Sequence, residues 1–132
     1  MNPNLDEIKE WLQIAEYDLT SAKILLSHEP PILITACFHC QQSIEKALKA
    51  FLTWKGEHFE KVHNIGYLLD LCKKYGLNLE FLNKNKAETI TSYAVEMRYP
   101  LTSSEITIDE ANEALSIAND VWRLINNLIS IY

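Results

Sequence analysis

The sequence predicts an all-α fold, an up-and-down bundle of four to five helices in a single domain covering residues 1–132. Three observations predict it. Apolar residues recur at the helical period of three and four along nearly the whole chain. No segment alternates apolar and polar residues as a strand would. Glycine and proline are scarce, three and four in 132 residues, and Pro30-Pro31, Gly56, Gly76 and Pro100 fall between the periodic stretches. A chain of this length buries a full core without disulfide or metal staples.

The first helix carries Leu5, Ile8, Leu12, Ala15, Leu19, Ala22 and Leu26 on one stripe and stops at Pro30-Pro31, where proline removes a donor and restricts the residue before it. The second runs from about Ile32 to Lys55, with Gly56 just past its end. Its core stripe reads Cys37, Cys40, Ile44, Ala47, Leu48 and Phe51. The third starts near Asn64, a good N-cap, uses Leu68, Leu69, Leu71 and Cys72, and ends at Gly76. A fourth covers roughly Leu79 to Arg98, with Ala87, Ile90, Ala94 and Met97 on one face and Pro100 closing it. The last opens with Thr107 and Glu110 spaced as a capping box. It carries Ala111, Ala114, Leu115, Ala118, Val121, Trp122, Ile125 and Leu128.

The net charge of −6 excludes a molecule that grips polyanions with its whole surface, but the charge is uneven. Residues 1–44 hold six acids against Lys9 and Lys23. Residues 45–86 hold eight lysines against Glu45, Glu57, Glu60, Asp70 and Glu80, and the remainder holds seven acids against Arg98 and Arg123. A phosphate contact therefore belongs in the middle segment, although the same lysines also fit a solvated surface. The N-terminus lacks the basic start and apolar run of a signal peptide, and no apolar stretch approaches the roughly 20 residues that span a bilayer. Three cysteines, an odd number without an export signal, point to reduced thiols and a cytoplasmic setting.

Cys37 and Cys40 lie on one helical face, three residues apart. That face is the apolar stripe, and His39 points away from it at 100° per residue. His58, His63 and Cys72 provide no second pair at metal-ligand spacing, so no metal site is expected. Gln42, Glu45, Lys46, Lys49 and Thr53 fall within about a third of the second helix, opposite the core stripe. Glu45 and Lys49 form an i,i+4 pair in the favourable order, worth about 0.2–0.5 kcal/mol, and Gln41 reaches Glu45 in the same way. This face is either the wet side of a helix or a lysine-lined phosphate contact with an amide and a carboxylate to orient it. In the run Tyr93–Pro100, Arg98 either complements the helix dipole or forks onto a phosphate, with Tyr99 stacking on a base.

The run Gln41-Gln42-Ser43-Ile44-Glu45-Lys46-Ala47-Leu48-Lys49-Ala50, then His63-Asn64-Ile65-Gly66-Tyr67-Leu68, then Tyr93 through Arg98-Tyr99-Pro100 before an alanine-rich last helix, resembles the HEPN domain family over nearly the whole chain. The resemblance implies a helical bundle that dimerises. Many members are RNases or RNase-derived toxins, and small prokaryotic members accompany a minimal nucleotidyltransferase, as toxin and antitoxin or as a split enzyme. RNase members carry an arginine followed four to six residues later by histidine. Here Arg98 and Arg123 have no histidine after them, and His28, His39, His58 and His63 all precede Arg98. General acid–base cleavage of RNA needs a group titrating near neutrality beside the 2′-hydroxyl. The expectation is therefore a binding module without catalytic residues or cofactor. It would be a homodimer that docks a minimal nucleotidyltransferase and contacts a nucleotide or RNA through Gln42, Glu45, Lys49, His63, Arg98 and Tyr99. Two alternatives stand beside it: a metal-independent RNase in which His63 and Arg98 meet in space, and a structural dimer without ligand.

Overall fold

The computed structural model describes the backbone of residues 5–98 and 106–130, and the side chains of residues 5–93 and 106–130. Five helices follow one another: α1 (Leu5–Ser27), α2 (Leu33–Trp54), α3 (Ile65–Lys73), α4 (Lys84–Arg98) and α5 (Ile108–Ser130). No strand occurs among the described residues. No described helix is long and apolar enough to cross a membrane. Of the α4 face expected from the sequence, Ala94 and Met97 have side chains outside the described residues.

Side-chain chemistry sets the helix ends. Asn64 Oδ1 accepts the Tyr67 N–H at 3.0 Å and caps α3. At α5 the Glu110 N–H donates to Thr107 Oγ1 at 3.1 Å while the Thr107 N–H donates back to Glu110 Oε1 at 3.2 Å, a complete capping box. After α2 and α3 the chain reverses through Gly56 (φ 72) and Gly76 (φ 80), left-handed conformations in which a Cβ is strained. In both places the next N–H reaches back five residues, Glu57 to the Leu52 carbonyl and Leu77 to that of Cys72. The fourth helix starts later than its apolar pattern suggests. Leu79 and Leu82 are buried, but they belong to a turn, and α4 begins only where Asn83 Oδ1 accepts the Lys86 N–H at 2.9 Å. A local cap overrides the continuing apolar residues.

α1 and α2 form an antiparallel hairpin: Ser43 Oγ donates to the Ala15 carbonyl at 2.8 Å, and His39 meets Asp18 one turn further along. α5 closes against both, with Trp122 Nε1 donating to the Leu12 carbonyl at 3.1 Å. α3 and α4 pack on the remaining side of α2 and are joined where the Ile65 N–H meets Thr91 Oγ1 at 3.1 Å. α2 thus touches all four other helices. Its small residues Ala36, Cys37, Cys40, Ser43, Ala47 and Ala50 are buried and let neighbours approach from several directions. Leu48 is fully enclosed at the centre of the buried cluster that draws on every helix. Leu48→Ala is expected to cost about 2–5 kcal/mol in a urea melt, because the lost transfer energy is joined by the cavity left behind.

Candidate functional site on the second helix

Gln41, Glu45 and Lys49 stand one turn apart on α2 and so share a face. That face is not the wet side of the helix. Gln41 is 0 % exposed, Glu45 1 % and Lys49 9 %, where the sequence places Glu45 and Lys49 opposite the core. The reason is the enclosure of α2: the period of a single helix reports one apolar stripe, but it does not report how many neighbours close around the rest. The signal that would have revealed it is the run of small residues on α2, which invites close approach on more than one side.

The polar groups form a relay. Gln42 Nε2 donates to Gln41 Oε1 at 2.8 Å, Gln41 Nε2 donates to Glu45 Oε2, and His63 Nδ1 meets Glu45 Oε1 at 3.1 Å. An ionised carboxylate opposite favours the tautomer that carries its proton on Nδ1. Lys49 Nζ lies 3.9 Å from Glu45 Oε1. Burial pushes the Glu45 carboxyl above its usual range, opposed by the His63 hydrogen bond and by the charges of His63, Lys49 and Lys46. Burial also pulls the Lys49 ammonium below the usual lysine range, against the pull of Glu45 and with the help of Lys46. His63 is more than half exposed, so it connects this buried carboxylate to the surface.

A second node lies along the same hairpin. Asp18 of α1 accepts His39 Nδ1 at 2.8 Å on one oxygen and Lys46 Nζ at 2.7 Å on the other. Neither Asp18 nor His39 stood out in the sequence, because a pair split between two helices leaves no spacing signature. On the other side of Lys49, a groove of about 680 Å³ runs between α1 and the segment after α2. Trp11, Lys49, Thr53, His58, Phe59 and Lys61 line it, with Glu7, Gly56 and Glu57. Trp11 and Phe59 meet edge to face with ring centroids 6.4 Å apart.

Four of the residues singled out in the sequence, Gln42, Glu45, Lys49 and His63, therefore come together. Arg98 is the last residue of α4 and its side chain is outside the described residues, as is the whole of Tyr99. Cys37 and Cys40 are fully buried on the core stripe. Burial pushes the Cys40 thiol up to about 12, with the neighbouring Cys37 adding to it, and burial does the same for Cys72. Among the described residues no three His, Cys, Asp or Glu side chains converge as a metal site would require.

Comparison with known proteins bears on this arrangement. Residues 8–128 match the model of the HEPN domain. The chain is 30% identical to "Putative toxin MJ1304" of Methanocaldococcus jannaschii, over 96% of this chain and 90% of that protein. It superposes on the crystal structure of ST0689, an archaeal HEPN homologue, with a TM-score of 0.70 and 26% identity, covering 92% of this chain and 97% of that one.

Two outcomes follow from the buried groups. The folded state protonates Glu45 more readily than the unfolded chain does, whose carboxyl titrates near 4.5. As pH rises above that value the unfolded state ionises first, and the fold loses stability until the raised folded value is passed. The stability of the native chain relative to Glu45→Gln should therefore fall as pH rises above 4.5 in urea melts. A rising difference would mean that the hydrogen bonds outweigh desolvation. The thiols should be inert in the folded protein: a thiol-reactive disulfide added at pH 8 should label Cys37, Cys40 and Cys72 only as fast as the chain unfolds, and a chelator should leave the melting temperature unchanged.

Proposed function

The chain belongs to the HEPN domain family, and from that membership we propose that it is the effector half of a toxin–antitoxin-like module. In this reading it works as a homodimer in the cytoplasm, docks a minimal nucleotidyltransferase, and binds a nucleotide or RNA. The observation that carries the ligand half of the proposal is the α2 face with the segment beside it. In a chain of net charge −6, Lys46, Lys49, His58, Lys61 and His63 gather on one side of the hairpin, and Gln42 and Glu45 are fixed among them. Lysine and histidine supply charge to phosphate oxygens, while the Gln42–Gln41–Glu45 relay holds the helix face in a fixed arrangement from within. The similarity to a protein named as a toxin supports the module half. Phe38 and Trp54, half-buried at the margins of the α2 core stripe, provide apolar surface for a two-fold contact.

Four measurements test the proposal together. A single-stranded RNA should bind with an affinity that falls as salt rises, because neutralised phosphates release counterions. Lys49→Ala and Arg98→Ala should each weaken binding by about 1.5–3 kcal/mol if the contacts are charge-assisted and shielded from water. Expression of the chain alone should slow growth of a host, and co-expression of a minimal nucleotidyltransferase should relieve it. Light scattering at tens of micromolar should give a dimer. Absence of binding at low salt together with unimpaired growth would leave only a structural dimer.

A further inference from the structure

The first helix has a second side that the bundle does not use. Its core stripe packs on α2 and α5, while Asp6, Glu10, Gln13, Tyr17, Thr20 and Ile24 recur at steps of three and four on the opposite face, all of them exposed. At 1.5 Å per residue they make a straight seam about 27 Å long, in the pattern by which one helix receives another. Ile24 is 65 % exposed and Tyr17 59 %, the two most exposed large apolar side chains among the described residues. Beside Ile24 opens a groove of about 400 Å³ between the end of α1 and the start of α2, with Leu25 and Ile32 among its walls. The groove is already shaped. The Ile32 N–H donates to the Leu25 carbonyl at 3.0 Å across the turn, and His28 Nδ1 meets the Pro30 carbonyl at 2.8 Å. Tyr17 is held as well, its hydroxyl accepting from Gln13 Nε2 at 3.0 Å. A side chain that enters here meets a surface that costs little to order.

The charges along the seam limit what can cover it. Asp6 and Glu10 occupy its N-terminal end and form no ion pair among the described residues. No lysine or arginine lies on the stripe, and Lys9 lines a separate groove with Trp122 and Asn126 on the α5 side. An anionic membrane surface would be repelled by the acid end. A second copy of the chain, laid on the seam about a two-fold axis at Tyr17, would set Glu10 of one copy against Ile24 of the other, a carboxylate pressed on an apolar side chain. A helix with basic residues over Asp6 and Glu10 and an apolar anchor over Ile24 matches both ends.

We propose that the outer face of α1 is the docking surface for an amphipathic helix of a protein partner, with basic residues in one half against Asp6 and Glu10 and an apolar residue of the other half in the groove at Ile24 and Ile32. The inference goes beyond the proposed function, which names a partner but no surface for it. The face shares no residue with the proposed RNA contact or with the two-fold contact at Phe38 and Trp54.

Two synthetic helices, titrated into the ¹⁵N-labelled full chain, test the proposal. Both carry leucines along one face; the first has lysines in one half, the second glutamates in the same places. The lysine helix should give saturable shifts of the backbone amides of residues 10–24 and of Ile32, with an affinity that falls as salt rises. The glutamate helix should bind at least tenfold more weakly. Ile24→Glu should lower the affinity for the lysine helix at least tenfold, and Glu10→Lys at least threefold at low salt. Ile108→Glu, a change at another exposed apolar residue, should leave it unaltered. All three positions are on the surface, and melts check that each variant is folded. No saturable shift with the lysine helix, shifts centred away from α1 and the turn after it, equal binding of the glutamate helix, or native affinity in Ile24→Glu would each overturn the surface. A native dimer that Ile24→Glu dissociates in light scattering would assign the face to a second copy and overturn it as well. RNA binding without any response to the lysine helix would sink this inference and leave the proposed function standing. Docking of the lysine helix by a chain that binds neither RNA nor a nucleotidyltransferase would do the reverse.

Discussion

Glu45 is a carboxylate at the middle of a helix enclosed by four others, and its position is tolerable only because its partners arrive from three directions. Gln41 comes from the preceding turn, Lys49 from the following one, and His63 from the entry to α3. A buried charge stripped of partners costs several kcal/mol, so this polar centre fixes where each of those elements stands. The path of the α2–α3 segment follows from it. His63 must reach the carboxylate, Gly56 must turn the chain back, and Phe59 is brought onto Trp11. The groove described above is the outer side of that arrangement.

Membership of the HEPN family gives this arrangement a setting without dictating its chemistry. Neither arginine of this chain is followed by the histidine that the RNase members carry after theirs. The polar resources of the chain are concentrated on α2 instead, in residues that hold one another. Fixed in this way, a lysine or histidine engages a partner with little loss of side-chain entropy. The reduced proton affinity of Lys49 is a cost of this placement, and it is the kind of perturbation found where a ligand completes the charge balance.

Much of the fold was legible because its signals are local. The Asn64 cap, the capping box at Thr107 and Glu110, and the left-handed glycines Gly56 and Gly76 each act within a few residues, and each ends or begins a helix near its expected place. α4 was drawn too early because Leu79 and Leu82 continue the apolar pattern, while the cap that counts is Asn83. The candidate site was only half legible. Gln42, Glu45, Lys49 and His63 were identifiable as residues, and the Gln41–Glu45 contact follows from helix geometry alone. Their burial was not legible, because it depends on how many helices surround α2. Asp18 with His39, and Trp11 with Phe59, were beyond reach for a related reason: each pair joins separate segments, and tertiary packing rather than spacing brings them together.

The contacts between α1 and α2 fall at Trp11 with Lys49, Ala15 with Ser43, and Asp18 with His39 and Lys46, like teeth at successive turns of two meshed racks. Sliding one helix along the other by a single turn, about 5.4 Å, would disengage all of them at once. The hairpin is therefore a poor transmitter of motion and a good anvil. Any movement that an occupant or a partner protein provokes must be taken up by the short 55–64 segment.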